Sequence, residues 1–566
     1  MQKNVSRRRF IGQLGTVSVL AGGLVTPSAV RASLHLSNSE PEGWGNTEDV
    51  YDNDPLGSED NPDSAHLFRR GRGWKVLPSG WDDHDNLEWA LRNTAKGGVV
   101  RLVSGTYKIG RPVIVPNFDG TLRGAGTAHT TLTCTDEFNY EIWESPGGGK
   151  ELGEPTPLPF PRPPVDGSTT RTAPALFAFY KTPLQPGEHP DDRANRIEVK
   201  NLRCRIPMIG DLWMFGDEVL CINIINSIDW HSPDAAPATT RQDVMISGVE
   251  VDGYSTPEFG PFENACSCIT ILGGVILTSN YDLEGDVDGD AVGLVNGGLL
   301  GVTPAEGDVT FDSCTFRNCR FGPGAVGYTG GTMVWKNNTT DGCRANCLQI
   351  YEVGDSRILV KGNDLHCDSF LLPPEMAGGA TDVPSSLGCV VVIQGMGAAL
   401  GYPNNLRWAK LAFDPAAHAA HPEAGPIGTW RPQGPQLAPL PSSLRVVGND
   451  CQSSESANTY CVHIIDLANL AFGVPSVSAI VRGNDCSGSQ TCVSLEHAPD
   501  VEVSRNECSS QSFGIELHNA AGARITRNSF DFSHVVGGCE IRALSLGEKI
   551  DFSRVAPGTG VCRYQN

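Results

Sequence analysis

The sequence is short of basic residues. Lysine and arginine total 43 against 65 aspartates and glutamates, which gives a formal net charge of −22 over 566 residues. Each contact with a nucleic-acid phosphate needs a lysine or arginine, so this balance argues against nucleic acid or an anionic membrane surface as a partner. A polyanionic glycan would require a local basic patch or bound calcium, whereas an uncharged sugar would not.

Aromatic side chains are scarce as well. They make up 7% of the residues, while glycine occurs 65 times and proline 39 times. This composition is typical of a chain with many short strands and tight turns, and it argues against a globular helical enzyme. Because no linker divides the chain cleanly, we expect one elongated domain, present as a monomer.

No apolar run is long enough to span a membrane. The longest near the start, Leu14 to Val25, is short and rich in glycine, and it follows Ser6-Arg7-Arg8-Arg9-Phe10. Paired arginines, a short apolar stretch and small residues near Ala32 are the layout of a twin-arginine signal peptide. Residues 1–32 are therefore predicted to be a signal that is removed on export, which places the mature protein in the periplasm or outside the cell.

Coupled metal-binding cysteine pairs are also absent. The 18 cysteines include no CxxC pair joined to a second pair or to two histidines, so a zinc site has no support. Five of them instead recur five residues after an apolar strand position, and a small interior side chain explains that spacing better than a disulfide framework. These five are Cys204, Cys314, Cys451, Cys486 and Cys508.

A repeat of 22 residues is present in the C-terminal third. Asn484, Asn506 and Asn528 are equally spaced, and Asp312, Asn337, Asn363 and Asn449 extend the column upstream. Each unit holds two short stretches that are apolar at every second position, which is the strand period. A repeat of this length predicts a solenoid in which asparagine occupies the turn between strands.

The first coils carry a recognisable pattern. A candidate amphipathic helix from Asp83 to Thr94 precedes Gly97-Gly98-Val99-Val100-Arg101-Leu102-Val103-Ser104-Gly105-Thr106-Tyr107, and Gly120-Thr121-Leu122-Arg123-Gly124-Ala125-Gly126 follows. This segment resembles the helix-capped opening of pectate-lyase-like proteins. The resemblance implies an all-β fold, a single-stranded right-handed parallel β-helix, and a polysaccharide or oligosaccharide as partner.

The domain boundaries follow from this interpretation. Residues 33–79 are expected to form an N-terminal extension and residues 80–566 the β-helix, with long insertions at 138–196 and 396–443. The second insertion contains Trp408, His418, His421 and Trp430 and is predicted to form a wall beside the substrate groove.

One strand of each coil carries polar residues on its outward face. In one column His463, Ser494, Glu516 and Glu540 are expected to follow one another, and in the next Glu496, His518 and Arg542. Adjacent strands lie ~4.8 Å apart, so Glu516 and Glu540 would share a proton, whereas Glu496 and Glu516 would lie roughly 8 Å apart on a diagonal. The predicted catalytic residues are Glu496, Glu516, His518, Glu540 and Arg542. The predicted substrate-binding residues are Tyr351, Glu352, Gln394, His463, Asp466, His497 and Asn519.

Two chemistries fit these residues. A pair of carboxyl groups at either spacing suits a glycoside hydrolase. A polysaccharide lyase needs a base and a cation, and Ca²⁺ could be held by Asp286, Asp288 and Asp290, although a solvated acidic loop explains those residues as well. The characteristic motifs of polygalacturonases, pectate lyases and mannuronan epimerases are absent. A non-catalytic glycan-binding or cell-envelope protein is the alternative, since polar outer faces also occur in inert solenoids.

Overall fold

The computed structural model describes part of the chain. The described residues are 66–135, 175–180, 190–207, 219–225, 241–253, 266–272, 275–276, 301–302, 307–319, 322–326, 329–343, 346–351, 354–368, 387–394, 441–454, 459–510, 512–520, 522–531, 539–545 and 561–565. The predicted signal peptide at 1–32 and the predicted calcium site at Asp286, Asp288 and Asp290 lie outside them.

The chain forms three long sheets that run side by side. Sheet A contains β1 (Leu67–Arg70), β2 (Gly73–Val76), β3 (Gly98–Leu102), β6 (Gly120–Arg123), β9 (Asn195–Lys200), β12 (Gln242–Ser247), β17 (Val309–Asp312), β20 (Thr329–Lys336), β23 (Gly354–Lys361), β26 (Ser442–Val447), β29 (Val477–Arg482), β32 (Val501–Ser504) and β35 (Arg524–Thr526). Strands β1 and β2 are antiparallel, and from β2 onward each strand pairs in parallel with the one from the next coil.

Sheet B and sheet C complete each coil. Sheet B contains β4 (Gly105–Ile109), β7 (Thr130–Cys134), β10 (Arg203–Arg205), β13 (Glu250–Asp252), β18 (Thr315–Arg317), β21 (Thr339–Cys343), β24 (Asp364–Cys367), β27 (Asp450–Ser453), β30 (Asp485–Ser487), β33 (Glu507–Ser509) and β36 (Ser529–Phe530). Sheet C contains β5 (Val113–Pro116), β8 (Ala175–Tyr180), β11 (Val219–Ile225), β14 (Cys266–Leu272), β19 (Gly324–Val326), β22 (Asn346–Tyr351), β25 (Leu387–Gln394), β28 (Thr459–Asp466), β31 (Thr491–Glu496), β34 (Phe513–His518), β37 (Cys539–Ser545) and β38 (Val561–Gln565).

The order of these sheets confirms the predicted fold class. The chain visits sheets A, B and C in turn and then returns to A, and parallel connections of this kind are right-handed. The molecule is thus an all-β, right-handed parallel β-helix. The short strands β15 (Val275–Ile276) and β16 (Gly301–Val302) form a separate antiparallel pair.

Helices are few in the described ranges. Helix α1 (His84–Arg92) lies within the predicted span of Asp83 to Thr94 and buries Leu87, Ala90 and Leu91 against the first coils. A short 3₁₀ helix spans Pro190–Arg193, and helix α2 (Leu467–Phe472) follows β28. Neither α-helix has the length or apolarity of a membrane-spanning segment.

Three strands, β1, β2 and β8, fall inside regions expected to lie outside the coils. The β1–β2 hairpin occupies the predicted N-terminal extension, and β2 pairs with β3, so sheet A begins before residue 80. Strand β8 lies inside the predicted insertion at 138–196 and pairs with β5 and β11. Of the predicted insertion at 396–443, only residues 441–443 are described, and Ser442 begins β26.

The interior is filled by small and branched apolar side chains together with thiols. Fourteen cysteines with described side chains are buried and form no disulfide, and they include the five that the column spacing predicts to be interior. Cys451, Cys486 and Cys508 are direct neighbours on consecutive strands of sheet B. Burial without a disulfide fits cysteine in its role as a small apolar interior residue.

An asparagine ladder joins the coils at the turn from sheet A to sheet B. Each asparagine donates its backbone N–H and its Nδ2 to the Oδ1 of the asparagine in the next coil, at 2.8–3.0 Å. Nδ2 also donates to a backbone carbonyl of the preceding coil, which satisfies all of these buried polar groups. The members are Asn338, Asn363, Asn449, Asn484, Asn506 and Asn528.

The predicted column was wrong at its upstream end. Asn338, not Asn337, occupies the ladder, because Asn337 takes the left-handed turn position just before it (φ 55°). One coil earlier, the backbone N–H of Cys314 donates to Asn338, so the position predicted for Asp312 belongs to Cys314.

Candidate functional site

The outward face of sheet C is covered over several coils. Gln349, His463, Ser494 and Glu516 alternate with interior residues and so point away from the core, yet each is buried. His463 and Ser494 have 0% exposure. Other parts of the chain therefore lie over this face, which is not the open flat surface of an inert solenoid.

Two described side chains on this face are partly exposed to solvent. The side chain of Glu496 is 22% exposed and that of His518 is 30% exposed. The two residues are Cα partners on adjacent strands, β31 and β34. Together with His463 and Glu516 they form the cluster that we call the carboxylate site.

The strand register corrects one predicted contact in this site. Glu516 pairs with Arg542, and His518 pairs with Leu544. Glu540 lies two residues before Arg542, so the expected neighbour pair of Glu516 and Glu540 does not form. The alignment was shifted by two residues at β37, where Cys539 lies opposite Phe513.

His463 and Glu496 form the first histidine–glutamate pair. His463 Nε2 lies 3.1 Å from Glu496 Oε1, and the two residues belong to consecutive strands, β28 and β31. Burial alone would raise the pKa of Glu496, but the hydrogen bond and charge of His463, aided by His518 and His497, lower it to about 2. Glu496 is thus a carboxylate at any ordinary pH.

Glu516 and His518 form the second pair. His518 Nε2 lies 3.1 Å from Glu516 Oε1, and Thr491 donates its hydroxyl to Glu516 Oε2 at 3.3 Å. Both oxygens of this buried carboxyl group are therefore held by neighbours on strands β31 and β34. Because the register places Glu496 and Glu516 on a diagonal, their Cα atoms are separated by roughly 8 Å.

Asp466 has a structural role and does not make the predicted contact with substrate. Its carboxylate is buried at the start of α2 and accepts hydrogen bonds from four donors. These are the backbone N–H groups of Asn469 (2.9 Å), Ser476 (2.7 Å) and Val477 (3.2 Å), and the hydroxyl of Ser476 (2.6 Å). Burial raises the pKa of Asp466 despite these donors. The residue caps α2, and no part of it is available to a polymer.

The other predicted contacts fall into three groups. Gln394 is buried beside Asp466, and its burial places it, like His463, out of reach of a polymer in this conformation. His497 and Asn519 take left-handed turn positions directly after β31 and β34, with φ of 54° and 51°. Tyr351, Glu540 and Arg542 are described only as backbone in their strands, and Glu352 lies outside the described residues.

The sequence reasoning missed two features of the site. Thr491, which contacts Glu516, is the first residue of β31 and was not among the predicted site residues. Helix α2 was not expected, although Asp466 before Leu-Ala-Asn-Leu-Ala-Phe and Gly473 after it are an N-cap and a left-handed C-cap that mark such a helix.

A resident metal is not indicated by the residues that the structure describes. Among them, no group of three or more histidine, cysteine, aspartate or glutamate side chains has the geometry to hold an ion. The calcium site predicted at Asp286, Asp288 and Asp290 stays a prediction.

Comparison with known proteins gives likenesses in structure alone. No protein-family model and no curated protein matches the chain. The surface adhesin PfbA of Streptococcus pneumoniae shares 11% identity at a TM-score of 0.35, covering 85% of this chain and 94% of the adhesin. A polygalacturonase from Erwinia carotovora shares 9% at 0.37, covering 82% of this chain and 95% of that one. An endo-xylogalacturonan hydrolase from Aspergillus tubingensis shares 11% at 0.31, covering 87% and 99%. These proteins include polysaccharide hydrolases and an adhesin, and similarity of this degree supports no transfer of activity.

Proposed function

We propose that the protein is an extracytoplasmic glycan-cleaving enzyme, a glycoside hydrolase, and that the carboxylate site is its active site. The observation that carries the proposal is the pair of histidine–glutamate contacts on adjacent coils, at a place where the described part of sheet C is partly exposed to solvent. Burial of ionisable side chains is costly unless they are paired, and these pairs bring Glu496 and His518 to the surface beside each other.

The two carboxyl groups have different surroundings, which suits different roles. Glu496 is ionised and partly exposed, so it can stabilise the positive charge that develops on the sugar ring or activate a water molecule. Glu516 is buried and held by Thr491 and His518, which can return a proton to it. We assign Glu516 as the source of the proton for the departing sugar oxygen, passed on through its partner His518, whose side chain is 30% exposed.

A lyase is the less favoured reaction. Elimination from a uronate requires a positive group against the substrate carboxylate, whereas the described side chains of the carboxylate site include an ionised glutamate. Arg542 lies one strand from Glu516 and is the cation that a lyase would use. The proposed hydrolase therefore acts on an uncharged glycan or one of low charge.

A panel of soluble polysaccharides tests the proposal. The purified protein is incubated with each polymer, and reducing ends, near-ultraviolet absorbance and binding are measured together. New reducing ends without absorbance support a hydrolase. Absorbance that chelator abolishes identifies a lyase and overturns the assignment of Glu516. Binding without any cleavage establishes the glycan-binding alternative.

A further inference from the structure

The buried imidazole beneath Glu496 has no role in the chemistry above. His463 was predicted to contact substrate, yet it is fully buried, so a polymer cannot reach it. Its Nε2 instead lies 3.1 Å from Oε1 of Glu496, whose side chain is partly exposed. The one group that His463 can act upon is therefore Glu496.

The hydrogen bond between the two has a fixed direction. An ionised carboxylate only accepts hydrogen bonds, so Nε2 of His463 carries the proton and donates it. The ring of Tyr460 packs against the imidazole, with centroids 4.2 Å apart and planes tilted by 35°. The hydrogen bond to Glu496 orients the imidazole, and the contact with the Tyr460 ring restrains its rotation.

The charged groups around Glu496 are few and come from three strands. His463 faces it from β28, His497 follows it after its own strand β31, and His518 lies opposite it on β34 beside Glu516. Helix α2, which docks on the same turn through Asn469 Nδ2 and the carbonyl of His497 (2.7 Å), contains no titratable residue. His463 Nε2 lies within hydrogen-bonding distance of Glu496 Oε1, at 3.1 Å.

We propose that His463 is a positioning residue, which holds the carboxylate of Glu496 ionised and directed into the carboxylate site. This inference rests on the proposed function, because it assigns Glu496 to the reacting site. His463 then acts on the reaction through Glu496 and makes no contact with the substrate itself. Loss of the imidazole should therefore change the protonation of Glu496 and the rate of the chemical step, and leave substrate affinity alone.

Two substitutions separate positioning from packing. His463→Leu fills similar volume without a donor, and His463→Gln keeps an N–H that can reach Glu496. For the leucine variant we expect kcat to fall at least tenfold with KM unchanged, and the acidic limb of the pH–rate profile to move up by about one pH unit or more. The glutamine variant should recover most of both. A rise in KM at constant kcat, or equal effects of leucine and glutamine, would overturn the proposal.

A measurement without substrate keeps the test independent of the proposed function. Carboxyl groups react with a water-soluble carbodiimide in their protonated form, and the extent at Glu496 is followed by peptide mass spectrometry as pH is lowered. In the native protein the labelling of Glu496 should stay flat down to about pH 3, whereas in His463→Leu it should rise near the ordinary glutamate pKa of about 4.5. A native labelling curve like that of an ordinary glutamate contradicts the proposal even if the leucine variant does not fold.

A distant histidine supplies the control. His366 lies on β24 in sheet B, 3.6 Å from Asp341 and partly exposed. His366→Leu should leave the labelling of Glu496 and the acidic limb unchanged. If a glycan substrate is never found but Glu496 labels as expected, the proposed function fails while the His463–Glu496 relation stands.

Discussion

At the scale of single residues, the same chemical group takes different roles according to what surrounds it. Glu496 and Asp466 end consecutive strands of sheet C, yet Glu496 meets imidazoles at a partly exposed position and Asp466 meets backbone N–H groups in the interior. Both were predicted as site residues, since the sequence shows only an acidic residue at a strand end. The hydrogen-bond partners determine whether such an acidic residue belongs to the candidate active site or caps a helix.

Replacing Asp466 by alanine should destabilise the fold around α2. Three backbone N–H groups and one hydroxyl would lose their acceptor in a buried place, and we expect a loss of about 2–4 kcal/mol in the free energy of unfolding. Urea denaturation followed by circular dichroism measures it. Asp466→Asn retains one acceptor oxygen and should lose distinctly less. Equal stability of the native and alanine proteins would contradict the capping role.

At the scale of elements, the coils are held in register by columns of like residues. The asparagine ladder is favourable because every rung satisfies buried polar groups of two coils. A neighbouring column on sheet B is unfavourable, since Asp364, Asp450, Asp485 and Glu507 are direct neighbours in consecutive strands. Because the coils repeat, a favourable or an unfavourable contact between like residues recurs from one coil to the next.

Removing a central asparagine of the ladder should lower the free energy of unfolding more than removing the last one. Asn484→Ala removes the acceptor of the backbone N–H of Asn449, one of the two acceptors of Asn449 Nδ2 and the donor to the carbonyl of Val446, all in the interior, and we expect a loss of about 3 kcal/mol. Asn528 is the last rung and its contacts are only partly buried. Asn528→Ala should therefore lose less, as measured by urea unfolding. The reverse order would show that the ladder is not the element that holds the coils together.

Removing one charge from this column of acidic residues should stabilise the protein at neutral pH but not at low pH. Partial burial and the charges of Asp485 and Asp364 raise the pKa of Asp450 above its ordinary value. A raised carboxyl pKa means that the ionised form destabilises the folded state, so the penalty is present at neutral pH and vanishes as pH falls through the folded-state pKa. Asp450→Asn should raise the melting temperature at pH 7 but not at pH 3. Asp500→Asn, outside the column, should show no such difference, and a gain that persists at pH 3 would refute the electrostatic explanation.

At the scale of the whole molecule, the repeat made the fold predictable. Apolar alternation, spaced cysteines and the turn asparagines all recur once per coil, so each prediction was supported many times along the chain. The capping helix was also located to within about two residues. The predicted ladder was wrong at Asn337 because the next residue, Asn338, is of the same type, and at Asp312 because the ladder position two residues later is occupied by Cys314.

The site was less predictable than the fold. Glu496, Glu516 and His518 were correctly placed on one face, because strand alternation fixes which side chains point outward. The predicted partner of Glu516 was wrong. The register between β34 and β37 depends on the length of the segment that connects them, and that length does not follow the 22-residue repeat. Strand alternation gives the direction in which His463 points but not its burial, which depends on what packs on the outer face.

The thiol columns give a prediction for the molecule as a whole. Because fourteen cysteines are buried and form no disulfide, alkylating reagents should modify them slowly in the native protein and quickly in the urea-unfolded protein. Addition of a reducing agent should leave the melting temperature unchanged. A marked fall in melting temperature on reduction would show that disulfides form after all.

The central claim is that the carboxylate site breaks a glycan bond, and a single substitution tests it most directly. Glu516→Gln preserves shape and the contact with Thr491 but cannot donate a proton as the carboxyl group does. The release of reducing ends from the polysaccharide that the native protein degrades should fall about 10²–10⁴-fold, with little change in melting temperature. Glu502→Gln, a change at a partly exposed position on sheet A, should leave the rate intact. Undiminished cleavage by the Glu516 variant would contradict the account.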